Sequence, residues 1–285
     1  MTDVRKLFDL GKLSCDIRNL PSPPLVIQKL HSLIGEEDVD IGTLSYIVET
    51  DPAFSARLLR LVNSSFYGFQ RRISSVNEAV TILGFNSIHQ LLLATSVMNI
   101  FRGRDAAKYI ENFWQHSFAV GIIARNLLQN ADQDTRSGAF ACGILHDIGR
   151  LVLVNSDDER FLWFYYERQG VSSIDEEKDY FGLDHQEAGL LLAQKWNFPG
   201  QIADVIGKHH HPDLNLENKE LIAAINIADI LTIAMGVGDS GNRFAYGFSS
   251  DVWSCLNLDY DELKNILIKS IAEIKQSRDF LVNLR

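Results

Sequence analysis

Proline, cysteine, positive charge and unbroken apolar runs are all scarce in this 285-residue chain, and each scarcity removes a class of protein. Only six prolines occur, three of them inside "LPSPP" (20–24), so most of the chain is free of the residue that breaks helices. The cysteines, Cys15, Cys142 and Cys255, stand far apart, which excludes a disulfide framework and fits a reducing, cytoplasmic setting. Basic residues number 27 against 37 acidic ones, a net charge of −10. Such a surface repels a phosphate backbone, so no direct DNA binding is expected. "MTDVRKLFDLGKL" has no long apolar stretch after its basic residues, and no secretory signal is expected. The longest near-apolar segment, "LIAAINIADILTIAMGVG" (221–238), carries Asn226 and Asp229 near its middle. A lipid-facing helix rarely accepts both, so no membrane is expected either.

What is present is an ordinary globular composition, 46% hydrophobic and 22% charged, with apolar residues recurring at spacings of three and four. That period predicts an all-α fold. Helix starts are marked by their caps: Asp51 before Pro52, Ser75 with Glu78, Asp184 with Glu187, and Asp259 with Glu262. Gly84 is expected to separate two helices, the second being "NSIHQLLLATSVMNIF" (86–101). The basic stretch "RGRDAAK" (102–108) divides the chain into two helical parts, 1–104 and 105–285. "VGDSGNRFAYGFSSD" (237–251) is a polar, Gly-rich loop of the kind that lies over a site. The aromatic clusters near Phe66–Tyr67 and in "FLWFYYERQG" (161–170) read mainly as core, with Arg71 and Arg72 solvated. Cys142 reads as a small buried hydrophobe.

The stretch "FACGILHDIGRLVLV" (140–154) poses a problem, because it should be buried from end to end yet holds His146 and Asp147. A buried ionised carboxylate costs several kcal/mol unless something pairs with it. Asp229 sits in the most apolar helix of all, with no Lys or Arg between 220 and 242. Six of the eight histidines lie between 116 and 211, so metal-competent chemistry is concentrated in the second part. Taken singly, His116 reads as a hydrogen-bonded core imidazole and Asp229 as one half of a buried salt bridge. Taken together, His116, His146, Asp147, His185, His209, His210 and Asp229 are explained by a divalent cation, whose charge offsets the desolvation of both carboxylates. Mixed imidazole and carboxylate ligands favour Fe, Mn, Ni or Zn over Ca or Mg, as one ion or two.

The order His, His-Asp, His, His-His, Asp, here 116, 146-147, 185, 209-210 and 229, resembles the HD superfamily of metal-dependent phosphohydrolases in its binuclear form. "LPSPPLVIQKLHSLI", the segment from "ETDPAFSARLLRLVNSS" to "LLLATSV", and "LLAQKWNFPGQIADVIGKHHHP" resemble the HDOD domain, the HD-related output domain of bacterial signalling. The resemblance runs from about residue 15 to 235. It implies an HD-like helical bundle and a signalling partner protein. Many HDOD domains lack the HD ligands; this chain keeps the set. The HD-GYP phosphodiesterases carry "HDIGK" where this chain has "HDIGR", and a Gly-Tyr-Pro motif after the His-His pair. Here His210 is followed by "HPDLNLENKE", so cyclic di-GMP hydrolysis is not implied.

The expected function is a cytoplasmic bacterial signalling module whose metal pocket binds a phosphorylated ligand, small molecule or nucleotide. The alternative is an active metal-dependent phosphohydrolase, and the third reading is an interaction module with an empty pocket. In the enzymatic reading Asp147 bridges the ions, and Arg150 and Lys208 steady the phosphate. For Lys208 an ordinary solvated cation is the competing explanation.

Overall fold

The computed structural model describes residues 22–276 apart from positions 24, 34–39, 64–66, 68, 101–105, 132, 168–173, 240 and 243–244. The division expected between 104 and 105, Cys15 and Phe66 fall outside the described residues. Fourteen helices and no strand occur among those that are described.

In the first half, α1 (Leu25–Ser32), α2 (Ile41–Glu49) and α3 (Pro52–Val62) pack together, and α1–α3 each pack on the long α4 (Val76–Ile100). Gly84 breaks α4 with φ 79° and ψ 166°, a backbone conformation that only glycine adopts readily. The expected caps form. Phe54 N donates to Asp51 Oδ1 at 3.0 Å and Glu78 N to Ser75 Oγ at 3.1 Å. Glu262 N and Asp259 N each donate to the other residue's carboxylate, at 2.8 and 2.9 Å.

The second half is built around α5 (Ala107–Leu127), which packs against α6 (Gln133–Leu145), α12 (Lys219–Ala234) and α14 (Tyr260–Gln276). Between them run α7 (Ile148–Ser156), α8 (Asp158–Glu167), α9 (Ile174–Phe181), α10 (His185–Lys195) and α11 (Gly200–Lys208); α13 (Ser250–Ser254) follows α12. Packing of α4 on α6 joins the halves, and one hydrophobic core extends from Ile27 to Ile266. Two glycine contacts set the spacing of the helices that matter most. A Cβ on Gly143 would lie 2.4 Å from Gly121 Cα, and one on Gly149 would lie 1.7 Å from His185 O. Helices α5 and α6, and α7 and α10, therefore approach closer than any side chain allows.

Every residue from Phe140 to Val154 is buried. One stretch, Gly138–Ser156, is long and apolar enough to cross a membrane, and 94% of it is buried inside the fold. It is not one straight helix: α6 ends at Leu145, α7 begins at Ile148, and the turn between them is His146-Asp147. Among the aromatics, Phe161, Phe164 and Tyr165 join the core while Trp163 and Tyr166 are exposed. Arg71 and Arg72 are exposed, Arg71 pairing with Glu78 at 2.8 Å, and Cys142 is buried.

Candidate metal centre

The break between α6 and α7 answers the problem that the apolar stretch raised. Asp147 occupies the N-cap position of α7, yet its side chain makes no capping hydrogen bond. Its carboxylate points inward instead. Asp147 Oδ1 faces His185 Nε2 at 3.2 Å and His209 Nε2 at 3.3 Å. Its Oδ2 faces His146 Nε2 at 3.5 Å and Arg150 Nε at 3.3 Å. His116, from the middle of α5, lies 2.9 Å from Asp229 Oδ1, and His146 Nε2 lies 3.8 Å from the same oxygen. His210 Nε2 approaches His185 Nε2 to 3.0 Å. All seven residues expected to ligate metal thus form one connected cluster. It contains two potential donor sets, Asp147–His185–His209–His210 and His116–His146–Asp147, with ligand atoms within 4.8 Å of one another in each. Asp147 belongs to both.

The outer ring nitrogens explain why the inner ones are special. His146 Nδ1 lies 2.8 Å from Gly143 O, and His209 Nδ1 lies 3.1 Å from the carbonyls of Val205 and Ile206. His185 Nδ1 lies 2.5 Å from Glu177 Oε2. In the neutral rings these acceptors favour the proton on Nδ1 and leave each Nε2 lone pair directed inward, the arrangement metal-binding imidazoles use. Five buried inner atoms, His116 Nε2, His146 Nε2, His209 Nε2, Asp147 Oδ1 and Asp229 Oδ1, have no aligned hydrogen-bond partner among the described residues. Buried polar atoms are normally paired, so five orphans facing one another mark a cluster that could hold a cation.

The buried charges also call for a cation. Glu177, Asp147 and Asp229 are 1–2% exposed, and Arg150, at 2%, is the guanidinium placed among them. Burial pushes the pKa of all three carboxyls up, but neighbouring charges outweigh it. Arg150 and His185 bring Glu177 down to about 2. His146, Arg150 and His185 hold Asp147 well below the usual range, and His116 and His146 do so for Asp229. Burial lowers the pKa of His209 and His210, favouring neutral rings. Among the described residues, and with the imidazoles neutral, three carboxylates against one guanidinium leave two negative charges, which a divalent cation matches.

Arg150 donates from Nε to Asp147 at 3.3 Å and from Nη1 to Glu177 at 2.5 Å, while Nη2 has no hydrogen-bond partner among the described residues. Lys208 is exposed at the last residue of α11, next to the buried His209. Two residues escaped the sequence reading. Glu177 in α9 holds both Arg150 and His185, and only its place in the acidic run "IDEEKDYF" marks it. Tyr246 hydrogen-bonds with His210 Nδ1 and donates to Asp229 Oδ2 at 2.9 Å. It comes from the Gly-rich loop expected to overlie a site. There a Cβ on Gly238 would lie 2.3 Å from His116 N, and one on Gly241 2.6 Å from Arg150 Nη1. A cavity of about 220 Å³ between this loop and the end of α12 reaches His116, Asp239 and Asn242.

The fold and site define an all-α helical domain that encloses a His/Asp cluster able to hold metal. The chain belongs to the HDOD domain family, which matches residues 20–212. Asp229 and Tyr246 lie beyond that region. An HDOD domain protein of unknown function from Geobacter sulfurreducens shares the fold with a TM-score of 0.75 and 22% identity, covering 96% of this chain and 99% of that one. So does a proposed metal-dependent phosphohydrolase from Shewanella amazonensis SB2B, at a TM-score of 0.65 and 19% identity over 97% of this chain and 99% of that one. An uncharacterised protein of Treponema pallidum (strain Nichols) is 28% identical over 226 residues, 75% of this chain and 42% of that protein. The chain spans less than half the length of the curated relatives it matches.

Proposed function

We propose that this chain is an HDOD signalling module of a bacterial cytoplasm that binds one or two divalent transition-metal ions and, over them, a phosphorylated small molecule or nucleotide. One observation carries the reading: imidazole Nε2 atoms and carboxylate oxygens converge in the core, the Nδ1 atoms of His146, His185 and His209 are already engaged, and five of the inner atoms have no hydrogen-bond partner among the described residues. His116, His146, Asp147 and Asp229 would hold one ion; Asp147, His185, His209 and His210 would hold the other, drawn from Fe, Mn, Ni and Zn. Such ions supply Lewis acidity toward phosphoryl oxygens and a metal-bound water acidified toward neutrality. Arg150 stiffens the centre through Asp147 and Glu177, and its Nη2 and the exposed Lys208 are the cations offered to a phosphate. A signalling protein is the expected partner.

The second reading, an active phosphohydrolase, is favoured by the retention of every ligand around a shared Asp147. Metal analysis of protein purified without chelators tests the first: near-stoichiometric metal is expected, lost in Asp147→Ala. Substoichiometric metal together with unchanged stability in His146→Ala would instead favour a structural module with an empty pocket. Assays with Mn or Fe on phosphodiesters and nucleotides separate the two metal-bound readings, because turnover abolished by Asp147→Ala makes the chain an enzyme.

A further inference from the structure

Tyr246 stands where the two halves of the cluster meet, and its single phenol proton gives it a definite task. Its phenol carries a single proton and faces two partners, Asp229 Oδ2 at 2.9 Å and His210 Nδ1. A carboxylate cannot donate, so the phenol proton goes to Asp229, as the 2.9 Å contact has it. The phenol oxygen then accepts the remaining hydrogen bond, which places the His210 proton on Nδ1. His210 Nε2 is left as a lone pair, 3.0 Å from His185 Nε2. In the neutral His185 ring Nε2 is a lone pair as well, since Glu177, 2.5 Å away, accepts the proton of Nδ1. Two lone pairs at that distance repel, and a cation shared with Asp147 relieves both.

We infer that Tyr246 is a positioning residue that sets the tautomer of His210 and so keeps the Asp147–His185–His209–His210 set open to metal; this rests on the metal-centre reading above. Without the phenol, His210 is free to carry its proton on Nε2 and donate it to His185 Nε2. That hydrogen bond closes the set on itself. Asp229 simultaneously loses its Oδ2 partner, so the same hydroxyl links the His116–His146 side to the His185–His210 side. The loop that delivers Tyr246 is anchored independently, by a hydrogen bond from Tyr165 to Asp239 and by Asp239 N donating to Asn112 O at 3.1 Å. The phenol's effect can therefore be separated from loosening of the loop.

The experiment compares wild type, Tyr246→Phe, Tyr165→Phe and His210→Ala as chelator-stripped proteins titrated with Co²⁺, read by visible absorption. His210→Ala identifies the binding step that depends on this set. Tyr246→Phe is expected to weaken that step by about 10–100-fold, the usual effect of removing a ligand's outer hydrogen-bond partner. Tyr165→Phe should behave as wild type. Long-range ¹⁵N–¹H correlations of the metal-free proteins should show His210 protonated on Nδ1 in wild type and on Nε2 in Tyr246→Phe, a change that simple loss of stability does not produce. Equal Co²⁺ affinity in wild type and Tyr246→Phe, an unchanged tautomer, or an equal loss in Tyr165→Phe overturns the inference and leaves the metal reading intact. A wild type that takes up no Co²⁺ at all brings down both.

Discussion

Glu177 shows how a single buried charge organises this centre. It accepts from Arg150 Nη1 and His185 Nδ1, each at 2.5 Å, and from His185 N at 3.0 Å. Removing one partner of a buried, hydrogen-bonded charge pair strands the other, so Glu177→Gln should cost about 3 kcal/mol in urea denaturation at neutral pH. The sign of the pH dependence follows from its depressed pKa. The folded value of about 2 lies below the ordinary 4.5, so the stabilisation is complete above pH 4.5 and is lost as pH falls toward 2. Urea midpoints measured between those limits should fall more steeply in wild type than in Glu177→Gln; parallel curves would contradict the assignment. Asp147 and Asp229 were legible in the sequence because charge inside an apolar run demands an explanation. Glu177 was not, since it is one of three successive acidic residues and its partner Arg150 lies 27 positions away. Tyr246 was equally hidden, because a loop carries no periodicity from which the direction of a side chain can be read.

At the level of elements, the centre depends on helices brought together by residues with no side chain. Gly149 follows the His-Asp turn and meets the first turn of α10, where His185 begins the helix behind the Asp184–Glu187 capping box. A methyl group at Gly149 would lie 1.7 Å from His185 O and 2.6 Å from Gly189 N, both backbone atoms that cannot rotate away. Gly149→Ala should therefore force α7 and α10 apart and cost at least about 1–3 kcal/mol, the range for overpacking a core. It should also lower metal uptake, because Asp147 and His185 are carried by these two elements. Gly200→Ala is the matching control. It begins α11 with nothing within 4 Å of its would-be Cβ, and should be neutral or stabilise by up to about 1 kcal/mol. Equal urea midpoints for the two variants would refute the close-packing argument. The helices and their caps were readable in advance, since Asp51, Ser75, Asp184 and Asp259 act locally. The glycine contacts were not, because close approach depends on a residue far along the chain.

At the scale of the whole molecule the question is whether the two helical parts respond to metal as one. Every residue of the candidate centre comes from the second part, as do all four tryptophans, Trp114, Trp163, Trp196 and Trp253. The first part nevertheless shares its core with the second. Ile88, Leu91, Leu92, Leu93, Ala94 and Val97 of α4 are at most 1% exposed, and α4 packs directly on α6, the helix that ends at His146. A continuous core of this kind unfolds cooperatively, so loss of the metal-bearing half removes the surface that α4 needs. Binding to the folded state alone stabilises it by about 2.7 kcal/mol when free metal is 100 times its dissociation constant. Thermal unfolding followed by far-ultraviolet circular dichroism, which reports helices of both parts, should therefore coincide with unfolding followed by tryptophan fluorescence, which reports only the second. Adding Mn²⁺ to chelator-stripped protein should move both curves upward together. If only the fluorescence transition moved, while part of the helical signal melted separately at an unchanged temperature, the two parts would be independent domains and the α4–α6 contact would not couple them.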